Sequence, residues 1–138
     1  MAYGMQTRIE QPHTTAVKLV RTALEKENLA VLTTTDVAAT LKQAFDLDLP
    51  PQVALGICTR SLARASLEAD PSVGLLVPCS IIVRATGPNT SVVEAPKLDM
   101  IIAITGDHHL QPAVTEAITR LRATFARLNE TPPHNSPG

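Results

Sequence analysis

The apolar and polar positions of this chain switch repeatedly between a period of two and a period near 3.6, so strands and helices are predicted to alternate along it. Tyr3, Met5, Thr7 and Ile9 alternate with polar or small residues, as a half-buried first strand would. His13-Thr14-Thr15 is a helix start signal. Val17, Val20 and Leu24, flanked by Ala16, Leu19 and Ala23, then mark one helix face to about Asn28. Leu29 to Thr35 is short, apolar and β-branched, which predicts a second strand. Asp36 is placed to cap a helix whose Val37, Leu41, Ala44 and Phe45 share a side. Pro50-Pro51 ends that region, because proline disfavours helical geometry in the residue before it.

The second half repeats the alternation. Gln52 to Cys58 reads as a third strand, followed by a helix that starts at Thr59 and carries a narrow stripe of Leu62, Ala63, Ser66 and Leu67. Asp70-Pro71-Ser72-Val73-Gly74 stops it. Leu75 to Ala85 is predicted as a fourth strand. The turn signal Thr86-Gly87-Pro88-Asn89 returns Thr90 to Ala95 as its antiparallel partner. Pro96 opens a short helix through Leu98, Ile101, Ile102 and Ala103, although periodicity alone also allows a strand there. Val114, Ala117, Ile118, Leu121, Phe125 and Leu128 predict a final helix of about four turns, with Pro112 suited to its first turn. Residues 1–130 are expected to form a single domain. Thr131 to Gly138, with three prolines and no apolar cluster, is expected to be a disordered tail. There is no internal repeat and no glycine-rich phosphate loop.

Composition narrows the function classes. A chain of 138 residues has enough length to bury roughly 68% of its unfolded surface. The apolar fraction is 44%, but Tyr3, Phe45 and Phe125 are the whole aromatic set, so the core is expected to be aliphatic and platforms for stacking bases are scarce. Twelve basic and thirteen acidic side chains give a formal charge of -1, which provides no field to attract a polyanion. Nucleic acid is therefore not an expected partner. With no apolar run of signal-peptide or membrane-span length, no membrane partner is expected either, and the chain is placed in the cytoplasm. Two cysteines are too few for a secreted disulfide framework, and a reducing compartment favours free thiols.

Candidate chemistry centres on Leu55 to Val83, where Cys58 closes one apolar strand and Cys79 follows Pro78 in the next. Cys58, with Thr59 as a helix cap and Arg60 beside it, has the setting that lowers a thiol pKa; Cys79, among aliphatic residues, has the setting that raises it. The competing reading of each is a small buried hydrophobe. Together the two thiols suit a thiol–disulfide switch, a persulfide carrier or a soft-metal clamp completed by His108, His109 or Met100. The spacing does not demand a metal: twenty residues separate the thiols, there is no CxxC, and no cofactor is predicted. Arg60 and Arg64, one turn apart, suit an anion or simply a solvated face. His13 and His134 read as exposed. Conventional catalysis lacks a motif: there is no GxSxG and no HExxH, and Asp107-His108 and Glu116 are general-base candidates only if folding brings them near a cysteine.

The stretches TALEKENLAVLTTTDVAATLKQAFDLDLP and LGICTRSLARASLEADPSVGLLVPCSIIV, with the terminal amphipathic helix, resemble the bacterial and archaeal family named domain of unknown function 302 over about Thr14 to Leu128. Its specific elements are the Asp36-initiated helix, Leu55-Gly56-x-Cys58 and Leu76-x-Pro78-Cys79. The resemblance implies an α+β domain with a curved, mostly antiparallel sheet of about five strands, helices packed on it and a TATA-binding-protein-like form, usually paired as a homodimer. It implies no activity. Where the family commonly has Asn-Pro after the first cysteine, this chain has Thr59-Arg60, so a ligand shared across the family at that corner is not implied here. Two function classes follow: a homodimeric small-ligand or sensor module without catalytic machinery, and a thiol-dependent protein of sulfur or redox metabolism. The site candidates are Cys58, Thr59, Arg60 and Cys79.

Overall fold

The computed structural model describes residues 4–131. Tyr3, His134 and the tail beyond Thr131 lie outside the described residues. The elements follow in the order β1 (Gly4–Ile9), α1 (His13–Lys26), β2 (Ala30–Asp36), α2 (Val37–Phe45), β3 (Gln52–Cys58), α3 (Arg60–Ala69), a 3₁₀ turn (Pro71–Leu75), β4 (Cys79–Gly87), β5 (Thr90–Pro96), α4 (Met100–Thr105), a second 3₁₀ turn (His108–Leu110) and α5 (Gln111–Asn129). The strands form one open sheet in the order β1-β5-β4-β3-β2, antiparallel throughout, which leaves β1 and β2 as its edges.

Alternation along the strands decides which face is buried. The register aligns Thr7 with Val93, Val93 with Val83, and Leu55 with Ile81, and all of these side chains are buried on one face. Over them pack Ala16, Val20 and Leu24 of α1 and Val114, Leu121 and Phe125 of α5. Burying a single Leu or Val of this kind stabilises the fold by about 1.5–3 kcal/mol. Thr7 is buried too, and its hydroxyl bonds the Asn129 side chain at the end of α5. The alternate positions Arg8, Ile82, Arg84, Val92 and Glu94 are exposed or half-buried, with Arg84 paired to Glu94 across neighbouring strands.

Local signals account for most boundaries. Asp36 caps α2 by accepting from the Ala39 N–H at 2.9 Å, and Asp46 ends it in the left-handed region at φ 55°. The His13-Thr14-Thr15 signal works differently from expectation. His13 lies inside α1, no side chain caps the helix, and the His13 ring, half-buried rather than exposed, reaches the Val83 carbonyl at 3.0 Å. β4 begins at Cys79, not Leu75. Asp70 accepts from the Ser72 N–H at 2.9 Å and starts a 3₁₀ turn that consumes Leu75, while Pro78 has no N–H to give to a ladder. The LDMIIAI segment contains a short helix, α4, with Ile101 buried.

The β2–α2 edge is the unusual part. Every residue of β2 is exposed or half-buried, and none of α2 is buried, although α2 has the apolar side the sequence predicts. Phe45 on that side is 69% exposed and Leu32 is 57% exposed. Leu32 falls where the β2–β3 register slips between Val31 and Thr33, a bulge opposite Gly56. A Cβ on Gly56 would lie 2.1 Å from the Thr33 Oγ1, so glycine is what lets the bulged strand approach.

That contact yields a test. Gly56→Ala is expected to destabilise the fold by about 1–3 kcal/mol through overpacking. Adding Thr33→Ala is expected to restore most of the loss, because the remaining contacts there are at 3.3 and 3.4 Å. Urea unfolding of the wild type and the two variants measures both effects.

Candidate functional site

β3 ends at Cys58 because the next residue turns the chain. Thr59 is extended, and its buried hydroxyl accepts from the Leu62 N–H at 3.1 Å, capping α3 as the sequence predicts. The cysteines lie on adjacent strands, but Cys79 is aligned with Ile57, while Cys58 is aligned with Ala30 on the other side. Successive side chains leave a strand on opposite faces. Cys79 therefore joins the aliphatic face, with its thiol donating to the Leu76 carbonyl at 3.4 Å, while Cys58 turns toward a pocket under α3. Both cysteines are free and buried.

The pocket has a volume of about 220 Å³. Leu32 of the β2 bulge, Ala63, Ser66 and Leu67 of α3, and Pro71, Gly74, Val77 and Pro78 from the segment after it line the space around Cys58. Its walls are mainly hydrocarbon. Two neutral polar groups belong to it, the Cys58 thiol and the Ser66 hydroxyl, with Asp70 as the charged group among the lining residues. Ser66 is 7% exposed, and its Oγ has no hydrogen-bond partner. A serine within a helix ordinarily bonds the carbonyl a turn before it or points into water, and this one does neither. Leaving a buried hydroxyl unpaired costs about 1–3 kcal/mol.

Burial, not the helix end, governs the thiols. The backbone N–H groups of Thr59 and Ala63 favour a Cys58 thiolate, but desolvation outweighs them and pushes the Cys58 thiol above its ordinary value. The lowered pKa expected for Cys58 is thus reversed. Arg60 is exposed on the first turn of α3 and does not offset that burial. Cys79 is pushed up to about 11, first by burial and then by the charge that Cys58 would carry beside it.

Other predicted groups are engaged elsewhere. Glu116 accepts from the Ser61 hydroxyl at 2.8 Å and pairs with Arg120, which in turn donates to the Asn28 carbonyl at 3.2 Å. This chain ties the start of α3 to α5 and is not a base poised on a thiol. Asp107 caps the second 3₁₀ turn through the His109 N–H at 3.0 Å and contacts the exposed His109 ring at 3.1 Å. Among the described residues no three His, Cys, Asp or Glu converge as a metal site, so the soft-metal set of Cys58, Cys79, His108 and His109 is not assembled. Arg64 makes an exposed pair with Glu68 at 3.7 Å. A larger cleft of about 650 Å³ lies between His13, Pro50, Pro51 and the β4–β5 turn, where the His13 ring is occupied by Val83.

Of the residues lining the pocket, Cys58 alone stood among the site candidates that the sequence offered. Ser66 was legible only as the one polar residue on the Leu62–Ala63–Leu67 stripe, and Leu32 enters through a bulge that no local signal announces.

Over residues 5–128 the chain matches the family model described as Domain of unknown function DUF302. Among solved structures it is similar to the crystal structure of uncharacterized conserved protein DUF302 from Bacillus stearothermophilus, at 23% identity and a TM-score of 0.77, over 93% of this chain and 99% of that one. At that identity the likeness is one of fold, and this chain has the expected α+β architecture with a five-stranded antiparallel sheet. No curated protein matches.

The thiol environments have a measurable consequence. The unfolded chain releases the Cys79 proton near the ordinary 9.0, whereas the folded chain holds it to about 11. This contribution to stability is present below pH 9.0 and is lost as pH rises toward 11. The urea midpoint of the wild type is expected to fall over that window more steeply than that of Cys79→Ala. Iodoacetamide at neutral pH is expected to label both native thiols slowly, with Cys58 ahead of Cys79, as read by peptide mass.

Proposed function

We propose, on the premise that this chain belongs to the DUF302 family and so takes from it a fold but no assigned activity, that it is a homodimeric small-ligand-binding or sensor module whose ligand occupies the Cys58 pocket. The observation that carries this reading is the pocket itself, about 220 Å³ of mainly hydrocarbon wall with the protonated Cys58 thiol in its lining. The volume of about 220 Å³ lies below the ~300–1,000 Å³ of sites for drug-sized compounds, which suits a small ligand.

The alternative, a thiol-dependent protein of sulfur or redox metabolism acting through Cys58 and Cys79, is less well supported. Thiol exchange and persulfide transfer need a thiolate, and burial keeps both groups protonated at neutral pH. Free thiols do fit a reducing, cytoplasmic setting. No helix among the described residues is long and apolar enough to cross a membrane.

The dimer reading rests on the β2–α2 edge. Leu32 on the edge strand β2, and Phe45, Leu47 and Leu49 at and after the end of α2, are large exposed apolar side chains, and among the described residues no strand neighbours the outer side of β2. A second copy covers such an edge by a two-fold contact. Because Leu32 belongs both to this patch and to the pocket, a partner docked there would adjoin the ligand.

Sedimentation at micromolar concentration is expected to give a dimer mass, and Phe45→Asp with Leu47→Asp a monomer. Native mass spectrometry of freshly purified protein is expected to show a small adduct that Ser66→Leu, which fills the pocket, removes without changing the subunit mass otherwise. A monomeric wild type removes the dimer reading. Absence of any species bound at the pocket, from native spectra and from ligand titration alike, removes the binding reading.

A further inference from the structure

Leu32 belongs both to the edge strand β2 and to the rim of the Cys58 pocket, and the step taken here rests on the dimer reading above. We infer that a second copy of this chain docks its α3 antiparallel against α3, with Leu67 at the two-fold axis, so that the partner's Leu67 closes the mouth of the pocket.

The pocket has a wet rim. Leu67 is 80% exposed and Leu32 57% exposed although both line it, and Pro71, Gly74 and Pro78 beside them are exposed as well. Sites for small molecules bury ~70–90% of the ligand's surface. A hydrocarbon groove open at its leucines does not reach that until something covers it. A Cβ on Gly74 would meet nothing within 4 Å, so this part of the rim leaves room for a neighbour.

The outward face of α3 carries the pattern that a second α3 complements. Arg60, Ala63, Arg64 and Leu67 recur at helical spacing on one face, whereas Leu62 and Ser66 are the buried residues of the helix. Along α3 the charges run against the helix's own dipole. Arg60 stands in the first turn and Glu68 in the last, with no acidic residue in the first and no basic residue in the last. The exposed Arg64–Glu68 pair, at 3.7 Å, also has base before acid, the weaker order of the two. A second α3 running the opposite way offsets this, because it lays the basic start of each helix beside the acidic end of the other.

Register follows from the axis. With Leu67 on it, Arg64 lies three residues to one side and Asp70 three to the other, so Arg64 of each copy stands level with the partner's Asp70. Ala63 stands level with the partner's Pro71 in the same way. Ala63, Leu67, Asp70 and Pro71 all line the pocket, so the contact that pairs the charges is also the one that covers Cys58.

Sedimentation of the full chain, together with iodoacetamide labelling read by peptide mass, tests this. Wild-type Cys58 is expected to label more slowly as protein concentration rises through the dimer dissociation constant, while the buried Cys79 keeps one rate. Leu67→Asp is expected to raise that constant at least about tenfold, and its Cys58 to label at the monomer rate where the wild type is dimeric. Leu67 and Arg64 are both about four-fifths exposed, so variants there are expected to keep the urea midpoint of the monomer. Arg64→Asp sets a carboxylate level with the partner's Asp70 and is expected to weaken the dimer about tenfold; adding Asp70→Asn, which retains a capping oxygen, is expected to recover most of that loss. A Leu67→Asp protein that stays dimeric, a Cys58 rate that ignores concentration, or an Asp70→Asn change that recovers nothing overturns the α3 contact and leaves the dimer reading standing. A wild type that sediments as a monomer at every concentration overturns both, even if its Cys58 is shielded by some other occupant.

Discussion

The β3–β4 ladder, with Leu55 against Ile81 and Ile57 against Cys79, is the constraint from which the rest of the molecule follows. These side chains are buried under the helical layer, and sliding the pair by one residue would move all of them to the opposite face. The register that the core requires also settles the fate of the cysteines. With Ile57 held opposite Cys79, Cys58 falls at the following position and leaves the strand on the other side, toward α3. Hydrophobic burial several residues away thus determines that the two thiols enter different environments.

At Cys58 two effects of comparable kind oppose each other. A strand running into a helix start brings backbone N–H groups toward the sulfur, which favours the thiolate. The same geometry draws α3 close enough, with Ala63, Ser66 and Leu67, to exclude water. Two neutral amide dipoles do not replace the solvation a thiolate loses, so desolvation wins. The corner that reads locally as a reactive cysteine becomes the wall of an apolar pocket.

The fold is lopsided in how it spends apolar surface. α1 and α5 cover the sheet over β1, β5 and β4, where the aliphatic side chains interlock, whereas the β2–α2 edge leaves Leu32, Phe45, Leu47 and Leu49 exposed. The bulge opposite Gly56 sets this edge apart further, because it turns Leu32 out of the regular ladder and into the mouth of the pocket.

Period and capping residues determined most of the element order by themselves, apart from the LDMIIAI segment and the two 3₁₀ turns. Gln52–Cys58 as a strand, the Asp36 and Thr59 caps and the stripe of α5 from Val114 to Leu128 are local properties, fixed by alternation, by side-chain oxygens near free N–H groups, and by one continuous apolar face. Boundaries that depend on contacts across the fold were not legible. β4 lost Leu75 to a turn capped by Asp70, and α1 was held by the Val83 carbonyl on His13 in place of a side-chain cap. The candidate site divides the same way. Cys58 and Thr59 announce themselves by type and spacing, but the direction of the thiol's pKa, the orphaned Ser66 hydroxyl and the arrival of Leu32 depend on how much water is excluded and on what lies across from each group. Those are quantities of three-dimensional packing, summed over strands distant in sequence, and only the tertiary structure decides them.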